Sequence, residues 1–93
     1  MSILVRFTGA PGLTAAKYDE INARVKYTLD WPPDGLDHHI CFGTEGDLRV
    51  SEIWDSREQF EAWGKQLMPV LVAEGIQFSG EPEVFEVHNA ERR

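Results

Sequence analysis

The chain has 93 residues, of which 42% are hydrophobic, enough for one modest core and too few for two, so it forms a single domain spanning residues 1–93. Sixteen acidic residues against nine basic ones give a net charge of -7. No basic cluster exists beyond Arg92 and Arg93, which argues against nucleic acid and an anionic membrane surface as partners. The single cysteine, Cys41, excludes an internal disulfide, and no Cys/His spacing suits zinc. No apolar run approaches the roughly 20 residues of a membrane span, and Met1 leads straight into a strand, so no signal peptide is expected and the cytoplasm is the default location.

In chain order, Ser2 to Thr8 alternates Ile3, Val5 and Phe7 against Leu4, Arg6 and Thr8, the period of a strand. Thr14 caps a helix through about Leu29, with Tyr18, Ile21, Val25 and Leu29 on its apolar stripe. Trp31-Pro32-Pro33-Asp34-Gly35 stops it. Leu36 to Asp55 reads as a hairpin turning around Gly43 to Asp47. Asp55 or Ser56 caps a second helix, with Glu58 or Gln59 at the capping-box position and Phe60, Trp63, Leu67 and Leu71 as its buried stripe. Pro69 predicts a kink or break around Lys65 to Met68, and Gly75 is the stop. Glu83 to Asn89 is the last strand, and Ala90 to Arg93 a polar tail.

Register within the hairpin follows from matching apolar residues across it, since a slip of one exchanges the faces. Pairing Phe42 with Leu48, Ile40 with Val50 and Leu36 with Trp54 achieves the match, and it sets His38 opposite Glu52. The element order β-α-β-β-α-β is the ferredoxin-like α+β pattern, a four-stranded antiparallel sheet with two helices on one face. Ile3, Val5, Phe7, Ile40, Phe42, Leu48, Val50, Phe85 and Val87 are then expected beneath the helices. The opposite face, with Leu4, His39, Cys41, Ile53, Val84 and His88, is too apolar in part to stay wet. A second copy of the chain is the economical cover, so a homodimer is expected.

The run VSEIWDSREQFEAW, the early strand, the prolines before the hairpin and the closing EVFEVHN resemble the antibiotic-biosynthesis-monooxygenase-like group of dimeric α+β barrel proteins, in particular small bacterial members. The resemblance implies a homodimer whose sheets face each other, with a pocket between sheet and helices in each subunit. The activities it implies include cofactor-independent oxygenation of phenolic polyketides, haem degradation and cyclisation. Trp54 falls where such members often place a pocket tryptophan. Members that oxidise phenols or degrade haem commonly carry an asparagine near the first strand, where this chain has Arg6, Phe7 and Thr8. Haem-degrading members hold iron with a histidine of the second helix, and Ser56 to Glu74 contains none. Haem is therefore disfavoured, and no cofactor or metal is expected; the adjacent His38 and His39 point to opposite faces and cannot chelate one ion.

The candidate catalytic pair is His38 and Glu52, because a carboxylate beside an imidazole orients the ring and favours its cation, which prepares a general base. Trp54, Tyr18, Trp63 and Trp31 are the candidate substrate-binding residues. The expected function is a small-molecule-acting protein, a cofactor-independent monooxygenase or cyclase on an aromatic or polyketide-like compound. The alternative is a non-catalytic ligand-binding or stress-related homodimer.

Overall fold

A computed structural model describes residues 2–9, 12–76 and 80–91. The elements run β1 (Ile3–Thr8), α1 (Ala15–Thr28), β2 (Leu36–Thr44), β3 (Asp47–Trp54), α2 (Arg57–Ala73) and β4 (Glu83–Glu86). The strands form one sheet in the order β2-β3-β1-β4, antiparallel at every junction. This is the ferredoxin-like α+β arrangement that the element order implies. The expected tail after Ala90 lies largely outside the described residues.

Both helices begin where their caps dictate. Thr14 Oγ1 accepts from Lys17 N, and Ser56 Oγ accepts from Gln59 N while donating to Gln59 Oε1, so orphan first-turn donors are satisfied. The tip of the β2–β3 hairpin lies against the start of α1. Glu45 Oε1 accepts from Ala15 N at 2.6 Å and Gly46 N donates to Leu13 O at 3.2 Å, which places a negative charge at the positive end of α1. At the other end of α2, Gly75 takes φ +73°; its N–H reaches Val72 O and that of Ile76 reaches Leu71 O, the paired bonds of a Schellman cap. Pro69 lies within one uninterrupted helix, not at the expected break between two segments. Pro69, Met68 and Lys65 are exposed, so the carbonyl that Pro69 cannot bond is left on the wet side, where water serves it.

The hairpin register differs from the predicted one by one residue over most of its length. Leu36 does pair with Trp54, but Asp37 is an extra residue in β2, and from there His38 pairs with Ile53, His39 with Glu52 and Cys41 with Val50. The hairpin closes on a two-residue loop, Glu45-Gly46, between the paired Thr44 and Asp47. Such a bulge shifts every later side chain to the other face. His39 and Cys41 consequently turn toward the helices, whereas His38, Ile40 and Phe42 turn away. The last strand is also inverted relative to expectation, since Val84 pairs with the fully buried Val5 and Phe85 with Leu4.

The core between sheet and helices is built on Ile3, Val5, Ile21, Val25, Trp54, Trp63 and Leu71, with Phe7, Phe60 and Leu67 packed against it. The helical stripes read from the sequence supply their share of it. An ion-pair cluster joins the helices: Glu74 receives Arg24 Nε at 2.8 Å and Lys17 Nζ at 3.5 Å. On the other side of the sheet Ile40, Phe42 and Phe85 are 54%, 37% and 48% exposed.

Candidate active site

A cavity of about 630 Å³ lies between the sheet and the two helices. Val25, Trp31, Leu48, Phe60, Trp63 and Leu67 are among its mostly apolar walls, and its polar groups include Tyr18, His39 and Glu52. Few convergent polar groups in a large apolar cavity is the general character of a small-molecule site.

Those polar groups form a continuous chain from three elements. Glu52 on β3 is the one buried charged residue among the described residues, at 5% exposure. A buried carboxylate needs donors, and it has two. His39 Nδ1 lies 2.6 Å from Glu52 Oε2, and Trp54 Nε1 donates to Glu52 Oε1 at 3.0 Å. With Glu52 ionised, the Nδ1 nitrogen carries the proton, so the neutral ring presents a bare Nε2, a tautomer assigned from the network. Tyr18 on α1 completes the chain, its hydroxyl 2.6 Å from His39 Nε2; it therefore donates there when the imidazole is neutral.

Electrostatics keep the chain's outer members protonated. Burial, and then the charges of Cys41, Glu52 and Asp19, push the Tyr18 phenol from 10.0 up to about 12. Burial and then Asp19 push the Cys41 thiol upward as well, so near neutrality it is a thiol on the cavity wall rather than a nucleophilic thiolate. The His39 ring is enclosed by aromatics. Trp31 meets it edge-on at 5.7 Å, and Tyr18 lies stacked at 6.3 Å. Trp63 packs on Trp31 at 6.1 Å, while Lys26 Nζ sits 5.4 Å over the Trp31 ring, a cation–π contact at the rim.

The residues singled out from the sequence divide accordingly. Glu52, Tyr18, Trp31 and Trp63 meet in the cavity. His38 does not: it lies on the opposite face of the sheet, and His39 occupies the place expected for it. Trp54 is fully buried behind the carboxylate and packs on Phe60 at 5.9 Å, so it holds Glu52 rather than facing the cavity. The position of His39 follows from the two-residue loop Glu45-Gly46, which sets Thr44 opposite Asp47 and hence His39 opposite Glu52; Glu-Gly is not among the favoured pairs for such a loop, so the sequence did not announce it. Among the described residues no group of three or more His, Cys, Asp or Glu side chains is placed to hold a metal ion.

Several solved structures share this fold, among them a cofactor-independent oxygenase and candidate antibiotic biosynthesis monooxygenases. SnoaB, a cofactor-independent oxygenase of Streptomyces nogalater, is 15% identical with a TM-score of 0.64, over 96% of this chain and 93% of that one. A candidate antibiotic biosynthesis monooxygenase of Deinococcus radiodurans is also 15% identical with a TM-score of 0.64, over 100% of this chain and 98% of that one. The de novo designed protein Foldit4, 11% identical over 95% of this chain and 100% of its own, reaches a TM-score of 0.60. No protein-family model and no curated protein matches the chain. At these identities the likeness establishes the fold, and a designed protein sharing it illustrates that activity resides in the site.

Proposed function

We propose that the cavity binds an aromatic or polyketide-like compound carrying an acidic hydroxyl, and that Tyr18, His39 and Glu52 take its proton as the first step of a cofactor-independent monooxygenation or a cyclisation. The observation that carries this reading is the Tyr18–His39–Glu52 chain set into an apolar, aromatic-walled cavity. A ligand hydroxyl donating to the Tyr18 oxygen loses its proton as the proton of Tyr18 passes to His39 Nε2. Glu52 stabilises the imidazolium so formed, and Trp54 fixes the carboxylate that does so. The ligand is left as an oxyanion, the electron-rich form that reacts with dioxygen or attacks a carbonyl of its own. Trp31 and Trp63 serve as the flat walls against which it lies.

The test is titration with 1-naphthol, read by quenching of tryptophan fluorescence and by oxygen uptake. Wild type is expected to bind and turn over, and His39→Ala to bind without turnover. Absence of quenching by naphthol at its solubility limit would refute the reading. A second reading, a non-catalytic ligand-binding protein, draws support from the completeness of the network. No buried side-chain nitrogen or oxygen among the described residues is unsatisfied, so the chain of bonds stands without a substrate. Binding with no oxygen uptake and no product would favour it.

We also infer that the protein works as a homodimer. Leu4, Ile40, Phe42, Ile53 and Phe85 share the sheet face turned away from the helices, and Cys41, expected among them, lies instead on the cavity wall. Exposed apolar sheet faces of this kind mark contact sites. Light scattering giving a monomer at micromolar concentration would overturn the inference. No helix among the described residues is long and apolar enough to cross a membrane; a cytoplasmic location and a small-molecule partner complete the proposal.

A further inference from the structure

The hydrogen bond between Tyr18 and His39 has a direction, and the direction depends on one proton. With His39 neutral, Nδ1–H is committed to Glu52 and the bare Nε2 accepts from the Tyr18 hydroxyl at 2.6 Å. The phenol then has only oxygen lone pairs left for the cavity it lines. With His39 protonated, Nε2 becomes a donor and can no longer accept. The phenolic hydrogen lies near the ring plane in one of two orientations, so it must swing away from the imidazolium. Tyr18 then accepts from His39 and offers its own O–H elsewhere. At 2.6 Å the two atoms are within hydrogen-bond reach, and an N–H···O bond in the reversed direction needs them to part by about 0.1 Å or more.

We propose that Tyr18 determines which ligands the cavity takes, with the proton on His39 as its selector: flat polycyclic hydrogen-bond donors bind when His39 is neutral, and flat carbonyl acceptors bind when it is protonated. The proposal rests on the cavity reading above and deepens it. It assigns to one site both members of a hydroxyl/carbonyl pair on the same ring system, which is the change that oxidation of a phenol produces. A hydroxyl ligand that gives up its proton flips the selector by doing so, because the proton ends on His39 and the Tyr18 O–H is released toward the newly formed oxyanion.

The groups around the selector are few. Glu52 faces His39 from β3, Cys41 lies beside it on β2, and Asp19 stands next to Tyr18 on α1. Lys26 approaches through the Trp31 ring, and Glu81 is a further charged residue of the cavity wall. The cavity wall contributed by α2 comprises Phe60, Trp63, Gly64, Leu67, Met68, Leu71 and Val72 and carries no charge. Burial and the neighbouring charges hold the Tyr18 phenol and the Cys41 thiol protonated, and His39 Nδ1 stays paired with Glu52 Oε2.

Three isosteric tricycles separate the possibilities: 9-fluorenone only accepts a hydrogen bond, carbazole only donates one, and fluorene does neither. Their affinities are measured by fluorescence titration of the full chain between about pH 5.5 and about pH 8.5. On acidification fluorenone is expected to tighten by about tenfold, the worth of one hydrogen bond, carbazole to weaken by about as much, and fluorene to hold constant. His39→Gln is expected to flatten both slopes. Parallel slopes for fluorenone and carbazole, flat slopes in wild type, or slopes that persist in His39→Gln would each overturn the proposal while leaving a ligand cavity standing. Failure of all three tricycles to bind would remove the cavity reading and the proposal together.

Discussion

Glu52 is the residue whose removal tests the site most directly. Its carboxylate accepts from His39 Nδ1 at 2.6 Å and from Trp54 Nε1 at 3.0 Å. Glu52→Ala leaves both donors without their acceptor, at about 1–3 kcal/mol each. Trp54 is fully buried and suffers the full penalty; the His39 side chain, 21% exposed, recovers part of its loss through water. The sum is about 2–5 kcal/mol. For a domain of this size each kcal/mol moves Tm by about 4–8 °C, so circular dichroism at neutral pH should show a drop of at least about 8 °C. Glu52→Gln is milder, about 1 kcal/mol, because the amide oxygen still serves Trp54. Its NH₂ must donate to Nδ1, which forces the ring proton onto Nε2 and turns the Tyr18 bond around. That variant should therefore lose naphthol turnover while it still folds. An alanine variant melting within about 3 °C of wild type would refute the claim that this network is a structural as well as a chemical unit.

Other consequences are open to simple measurement. Trp54→Phe keeps the packing on Phe60 but deletes the donor to Glu52, and should cost about 1–3 kcal/mol in urea unfolding. The Tyr18 phenol is raised from 10.0 to about 12 in the folded chain, so its contribution to stability is complete below pH 10 and is lost as pH rises toward 12. Tm should fall more steeply over that interval in wild type than in Tyr18→Phe. In the hairpin, Gly43 has φ +114°, and an added Cβ would sit 2.5 Å from the Asp47 carbonyl oxygen, whereas Gly46 has φ +81° and open space. Gly43→Ala should accordingly cost more than the roughly 1–2 kcal/mol expected of Gly46→Ala, compared by their urea midpoints.

Much of the fold was legible because its signals are local. Thr14, Ser56 and Gly75 mark helix ends by their own chemistry, and the apolar stripes of α1 and α2 follow helical spacing. Strand faces are a different matter, since they depend on parity across a whole ladder. Matching apolar residues across the hairpin presumes that one sheet face is apolar and the other polar. Here both faces carry large apolar side chains, with Ile40, Phe42 and Phe85 on the outer one, so that rule favours the wrong phase as readily as the right one. The pairing of Leu36 with Trp54 survived because it lies before Asp37. The structure holds an imidazole–carboxylate pair, with His39 in it and not the expected His38. Tyr18 was placed near the pair by its stripe on α1, but its bond to Nε2 depends on how α1 sits over the sheet, which no sequence period encodes.

The extra residue at Asp37 also bears on how this chain is to be compared with others. Two neighbouring histidines invite an alignment that matches whichever one falls in the same column, yet the side of the sheet each occupies is settled by counting from the Glu45-Gly46 loop, not from Leu36. A relative lacking the bulge would need a one-residue gap near position 37 to align correctly. Without that gap, the column holding a histidine on its helix-facing side would be read against His38, which lies on the opposite face of the sheet.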